Sequence, residues 1–154
     1  MKIVRYRTGT GGQGYGRLDA DGEVKELSGS LYGGLTDTGR TADVAALLAP
    51  VEPQDLFGIG LNYRRHAEES KQAIPDFPIV FMKGSGAVQD PGAPIILPRR
   101  LRSDAVDYEC ELAVIIGKAG RYIDKASALD HVPGYTCFND ISARKYQRAT
   151  GQWA

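Results

Sequence analysis

Cysteine, histidine and tryptophan are scarce in this 154-residue chain, at two, two and one residues. Two cysteines, Cys110 and Cys137, cannot build a disulfide framework. Neither belongs to a CxxC or Cys/His cluster of the kind that holds zinc. Both lie in apolar runs, so both are expected to be buried free thiols. Such thiols suit a reducing, cytoplasmic setting. Long apolar runs are missing as well, which gives no candidate membrane span. The opening residues Met1–Thr10 contain no apolar core of a signal peptide. Excess charge of either sign is absent, because 19 basic residues balance 19 acidic ones. A neutral chain offers no electrostatic case for nucleic acid or an anionic membrane, so any charge that matters is local.

What is present suits a folded enzyme domain. Hydrophobic residues make up 42% and charged residues 25% of the chain, close to the globular average and enough for a core. Met1 to about Pro50 reads as a small β unit. Lys2–Arg7 is a short strand. Gly14–Leu18 and Glu23–Leu27 flank Asp19-Ala20-Asp21-Gly22, a hairpin signal because glycine accepts positive φ in a tight turn. Ala42–Leu48 carries a short helical periodicity that stops at Pro50. The glycine-rich stretch Gly9–Gly16 lacks the following helix that a phosphate loop requires.

From Leu56 the texture changes. Leu56–Leu61 is an apolar strand. Arg64–Lys71 is compatible with a helix, and Asn62 is a candidate cap for it. Ile79–Lys83 and Ile95–Leu97 read as strands on either side of a loop rich in glycine and proline. Val106–Gly117 is the strongest strand pattern, and Gly134–Asn139 is another. A short helix follows over about Ile141–Arg148. Many short strands with few helices predict a β-rich α+β fold.

Three places could carry chemistry. Along Val106–Gly117, one side presents Tyr108, Cys110, Leu112, Val114 and Ile116, expected to face the core. The other presents Asp107, Glu109 and Glu111, then Ala113 and Ile115. Acids two apart on a strand point the same way, roughly 6–7 Å apart, and repel by about 2–3 kcal/mol at an effective dielectric of about 20. Solvent offsets this on an open face; on a covered one, a cation does. Carboxylate oxygens suit Mg²⁺, Mn²⁺ or Ca²⁺. The apolar continuation through Ala113 and Ile115 favours a covered face. Second, Asp140 stands at a strand-to-helix junction, as an N-cap or as a third carboxylate ligand. Arg144 and Gln147 share a helix face beyond it and could hold an oxygen-rich anion; an Asp140–Arg144 helix pair is the plainer alternative. Third, His66 and Glu69 lie at i and i+3, where a carboxylate can orient an imidazole that acts as a general base. A solvated surface pair would look the same.

The order of these features is more telling than any of them alone. The chain runs Gly60-Leu61-Asn62-Tyr63-x-x-His66-Ala67 with Glu69 close behind, then Pro78-Ile79-Val80-Phe81-Met82-Lys83. It continues with Asp107-Tyr108-Glu109-x-Glu111-Leu112-Ala113-Val114-Ile115-Ile116-Gly117-Lys118, and then Gly134-Tyr135-Thr136-x-x-Asn139-Asp140-Ile141-Ser142-Ala143-Arg144-x-x-Gln147. This series resembles the fumarylacetoacetate hydrolase family from about Leu56 to Trp153. The resemblance implies a mixed β-sheet roll or sandwich over 53–154, preceded by a small β domain over 1–52. It implies that Glu109, Glu111 and Asp140 are ligands of a divalent metal, Mg²⁺ or Mn²⁺, with Ca²⁺ a further candidate. It casts His66 and Glu69 as a water-activating dyad on a mobile short helix. Lys83, Arg144 and Gln147 become substrate-binding residues. A homodimer is implied for the full-length enzyme.

Two positions depart from the family pattern. Lys145 stands where an acid is usual, and Gly84 where a proline is usual. The family pattern also runs on well past Trp153, with another active-site lysine, so the catalytic domain is expected to be incomplete here and the chain alone inactive. Family members act on β-diketo or 2-oxo acids. Hydrolysis of a C–C bond in an acylpyruvate or a fumarylacetoacetate-like substrate is the first expectation. Decarboxylation of oxaloacetate, or isomerisation of a 2-hydroxymuconate-type acid, is the second. A fragment that binds metal or ligand without turnover is the third.

Overall fold

The computed structural model describes residues 1–151, and the end of the family pattern at Gln152 and Trp153 lies outside them. The described chain is strand-rich, as the short-strand pattern implies. It divides into two compact units. One comprises Met1–Val51, Gln89–Pro94 and Glu109–Asp140; the other comprises Glu52–Val88, Ile95–Tyr108 and the chain from Ile141.

The first unit is built on a five-stranded antiparallel sheet. Its strands are β1 (Ile3–Arg7), β2 (Gln13–Leu18), β3 (Val24–Ser30), β4 (Gly34–Thr41) and β5 (Ala46–Leu48), in the order β4-β3-β2-β1-β5. The Asp19–Gly22 turn forms as expected: the Asp19 N–H donates to Glu23 O at 2.9 Å, and Gly22 takes φ 88°. The glycine-rich stretch closes the β1–β2 hairpin through the Gly11 N–H to Thr8 O bond. Two expectations fail here. Ala42–Leu48 is not helical, because Ala46–Leu48 pairs with Arg5–Arg7 and closes the sheet edge beside β1. A three-residue pairing of this kind overrides a weak helical periodicity. The strand Gly34–Thr41 was not foreseen, since its Thr, Asp and Gly residues resemble a loop.

Tyr6, 3% exposed, anchors this sheet. It stands opposite Gly14, and a Cβ added at Gly14 would come within 2.9 Å of the Tyr6 hydroxyl. A Cβ at Gly16 would also meet the ring, at 3.3 Å. The two glycines thus leave β2 bare where the ring lies. Beside Tyr6, the buried Arg5 guanidinium donates to Ala49 O at 3.2 Å and Gln13 Oε1 at 2.6 Å, so its charge is solvated by the protein. The same unit contains a two-stranded ladder formed by Cys110–Ile115 and Gly134–Asn139, described below.

The second unit holds β6 (Leu56–Gly60), α1 (Arg64–Glu69), β7 (Ile79–Lys83), β8 (Val106–Asp107), β11 (Ser142–Ala143) and α2 (Arg144–Thr150), while β9 (Cys110–Ile115) and β10 (Gly134–Asn139) belong to the first. The strand read from Val106 to Gly117 is broken at Tyr108–Glu109 into β8 and β9. Ile95–Leu97 forms no strand; three apolar residues flanked by prolines do not secure a partner. Asn62 does not cap α1, whose N-cap is Tyr63 without a side-chain bond. Leu61 and Lys71 flank this helix at φ 50° and 54°, the left-handed region that a branched or long side chain enters at a cost.

Burial raises the pKa of Tyr6 above the ordinary tyrosine value, and the charges of Glu26 and Asp43 add to the effect. A raised folded-state pKa means that the associated stability is complete below the unfolded value, about 10, and is lost as pH rises through the folded one. Unfolding midpoints measured from pH 8 to 11 should therefore fall on the alkaline side. Tyr6→Phe should flatten that decline while keeping the strand-rich circular dichroism spectrum.

Candidate metal and substrate site

The acids are positioned by one antiparallel ladder. In β9 and β10, Glu111 faces Phe138 and Cys110 faces Asn139. The register continues one residue further, because the Asp140 N–H donates to Glu109 O at 2.9 Å. Glu109 and Asp140 are therefore directly opposite, and Glu111 is diagonal to Asp140. Directly opposite residues share a sheet face. All three acids thus lie on one face, at one end of one ladder. That face is the covered one: Glu109, Glu111, Ala113 and Ile115 are half-buried, as are Thr136 and Phe138, and Asp140 is 4% exposed.

The opposite face reverses an expectation. Tyr108, Cys110, Leu112, Val114 and Ile116 were read as the core face, yet all are exposed. On β10, Tyr135 and Cys137 are exposed with them, so the thiols expected to be buried are at the surface. The apolar alternation was read correctly. The covering of the acidic side was also read correctly, but the burial of the apolar side was not, because covering depends on what packs above the ladder. Asp107, grouped with the other acids, belongs instead to β8, where it pairs with Ser142 of β11.

The polar residues of the second unit form their own cluster. Arg144 donates from Nε to Asp107 Oδ2 at 3.0 Å, and its Nη2 lies 3.0 Å from the same oxygen. Its Nη1 donates to Gln147 Oε1 at 3.1 Å, so the expected sharing of one helix face by Arg144 and Gln147 is realised. An arginine can only donate, so the Gln147 amide must accept through oxygen and turn its NH₂ elsewhere. Asp107 is a partner of Arg144 that sequence spacing did not suggest. Asp140 is not a helix cap either, since α2 is capped at Ala143 without a side-chain bond. No sequence signal marks the Asp107–Arg144 pair, whose members are 37 residues apart.

His66 and Glu69 are both on α1 and both exposed, and no hydrogen bond or ion pair joins them among the described residues. Lys83 ends β7, half-buried, with its Nζ 5.9 Å from the centre of the Phe81 ring. Phe81 stands opposite Gly58 on β6. A Cβ at Gly58 would come within 2.2 Å of that ring, so the glycine is what leaves room for Phe81 there. Sequence reading passed over Gly58 because a single glycine in an apolar strand carries no distinctive signal.

The oxygen-only donor set of Glu109, Glu111 and Asp140 fits a hard divalent cation, and Asp140 is the buried member of the set. Among the described residues the side chains are not drawn together into a cluster that would grip an ion. The ladder sets the donors on one face and at one end.

A strand-rich α+β chain with an acidic patch on a covered ladder face defines a class, and the comparisons identify it. Residues 55–154 match the fumarylacetoacetate hydrolase C-terminal domain, and residues 1–50 match an Rv2993c-like N-terminal domain. The chain belongs to the fumarylacetoacetate hydrolase family. An uncharacterized protein of Archaeoglobus fulgidus is 43% identical over 141 residues, which is 90% of this chain and 56% of that protein. A 2,4-didehydro-3-deoxy-L-rhamnonate hydrolase of Sphingomonas is 37% identical over 100% of this chain and 58% of its own length. The crystal structure of a 5-carboxymethyl-2-hydroxymuconate delta-isomerase of Mycobacterium smegmatis superposes with a TM-score of 0.83 at 33% identity, over 99% of this chain and 60% of that one. The chain spans about three fifths of the length of these relatives.

Gly58→Ala should force the Phe81 ring off its strand. The expected cost is about 1–3 kcal/mol of stability, the usual range for overpacking, read as a lower midpoint in urea. Phe81→Leu in the same background should restore part of the loss. An unchanged midpoint for Gly58→Ala would show that the ring moves aside freely.

Proposed function

We propose that this chain is part of a divalent-metal-dependent enzyme that hydrolyses a carbon–carbon bond in a β-diketo or 2-oxo acid, of the acylpyruvate or fumarylacetoacetate type. The observation that carries the reading is the placement of Glu109, Glu111 and Asp140 on one covered face of β9 and β10. These acids would hold Mg²⁺ or Mn²⁺, with Ca²⁺ a further candidate. The ion would supply Lewis acidity to the oxo and carboxylate oxygens of the substrate.

The other roles fall to the chain's own side chains. His66 takes the proton from the attacking water, and Glu69, one turn along α1, orients its imidazole. Arg144, held by Asp107, offers fixed donors to a substrate carboxylate. Gln147 adds the N–H donors that its bond to Arg144 leaves pointing away. Lys83 supplies a cation at the end of β7. Residues 1–52 are a small β domain and 53–154 the first part of the catalytic domain. The full-length enzyme is a cytoplasmic homodimer in this reading. Isomerisation is the second reading, because the Mycobacterium smegmatis structure at 33% identity is that of an isomerase. It uses the same acids and substrate carboxylate, without attack by water.

Titration of the chain with Mn²⁺, followed by electron paramagnetic resonance, tests the metal site. Glu111→Gln and Asp140→Asn should each weaken binding by at least about tenfold, since each removes one of few hard ligands. Binding that is absent in the parent, or unchanged in both variants, sinks the assignment.

A steady-state assay with an acylpyruvate and Mn²⁺ should find this chain at least about a hundredfold slower than a full-length relative, because misplaced substrate-holding groups already cost that much. Comparable turnover would mean that His66, Lys83 and the three acids suffice. An assay with a 2-hydroxymuconate-type acid separates hydrolysis from isomerisation.

A further inference from the structure

The ladder that carries the acids is irregular at its other end. Register pairs Glu111 with Phe138 and Ile115 with Gly134, and carried further it would set Gly117 against Val132. The Gly117 N–H instead donates to His131 O at 2.9 Å, one residue off. The same slip carried along both strands would turn Asp140 to the face opposite Glu109 and Glu111. It goes no further than Gly117, because Gly134 and Ile115 are already in regular register. The strands are joined by residues 116–133, and a connection of that length leaves part of the work of fixing register to packing.

Gly117 is where that packing is found. A Cβ added there would lie 2.7 Å from Pro133 Cγ and 3.0 Å from Tyr32 Cδ1. Gly117 takes no positive φ, so the glycine serves room rather than backbone freedom. Two rings therefore lie against one Cα. Tyr32 belongs to the turn between β3 and β4, where the Gly33 N–H donates to Ser30 Oγ at 2.8 Å and Ser30 pairs with Gly34. Gly29, at φ 101°, lies so close to Gly34 O that a Cβ would come within 2.2 Å of it. The turn is closed tightly and holds Tyr32 in place. The ring is 60% exposed, so it adds little to a core, and its contact at Gly117 is what it offers.

We propose that Tyr32 is a positioning residue for the acidic face. Its ring, together with Pro133, confines the slip to Gly117, and the regular register is kept from there to the Asp140–Glu109 pairing. The small N-terminal domain thereby sets the geometry of acids that lie outside it. The bearing on catalysis rests on the reading of those acids as metal ligands; the hold on register does not.

The test uses the whole chain and the hydrogen exchange of two amides, followed by NMR. The Asp140 N–H, bonded to Glu109 O, reports the acid end of the ladder, and the Leu18 N–H, bonded to Lys2 O at 3.0 Å, reports the N-terminal sheet. Tyr32→Ala should speed exchange at Asp140 at least about tenfold and leave Leu18 unchanged, since a local opening shows in the amides that it frees. Tyr32→Phe keeps the ring and should leave both amides at the parent rates. Gly117→Ala pushes a methyl into both rings, should reproduce the acceleration at Asp140, and decides the matter if Tyr32→Ala fails to fold. Mn²⁺ affinity should fall at least about tenfold in Tyr32→Ala and hold in Tyr32→Phe, the loss typical when a residue that orients a metal ligand is removed. A parent chain that binds no Mn²⁺ sinks the metal reading alone, and exchange still judges the hold on register. The proposal is overturned if Asp140 keeps its parent rate in Tyr32→Ala, if both amides speed up together as general destabilisation requires, or if Tyr32→Phe behaves like Tyr32→Ala. Unchanged Mn²⁺ affinity in Tyr32→Ala, with a parent that binds, also overturns it.

Discussion

The register of β9 against β10 is the constraint on which the candidate site depends. One backbone hydrogen bond, from Asp140 to Glu109, extends the ladder past its regular end and sets two carboxylates face to face. With Glu111 diagonal to them, three negative charges share a partly covered surface. Ionised neighbours about 5–6 Å apart repel by about 3 kcal/mol at an effective dielectric of 20. A one-residue slip in register would send every one of these side chains to the other face, so the turn chemistry and the apolar alternation of both strands serve the acids indirectly.

A second constraint acts through arginine. Arg144 bridges Asp107 and Gln147, and its backbone N–H also donates to Ala105 O at 2.9 Å. The first turn of α2 is thus tied to β8 by main chain and side chain together. A guanidinium held this way keeps a fixed orientation, and it fixes the amide of Gln147 as well. The pairing of β8 with β11, two residues long, is what brings Asp107 within reach.

Much of this was legible from residues alone, for specific reasons. Ile79–Lys83 and Gly134–Asn139 were read with their observed bounds, because apolar and β-branched residues run between clear breaks. The Asp19–Gly22 hairpin followed from glycine's tolerance of positive φ. The sharing of a helix face by Arg144 and Gln147 followed from helical spacing. Family membership followed from the order of four motifs rather than from any single one. Failures had equally specific causes. Ala42–Leu48 was lost to a pairing with β1, which no local pattern announces. Val106–Gly117 was read as one strand because alternation continues across Tyr108 and Glu109, whereas the two pieces pair with different partners.

By itself, the sequence determined the alternation along β9, the apolar character of one side, the acidity of the other, and the family membership. Only the tertiary structure decided that Asp140 stands opposite Glu109, that Asp107 holds Arg144, and that the apolar side of the ladder is open. The physical reason is range. Side-chain periodicity is a property of a few consecutive residues, set by the geometry of one strand. Register, pairing partners and burial are set by residues outside that local window, such as Asp107 and Arg144 at a separation of 37. No local pattern encodes which distant segment will arrive.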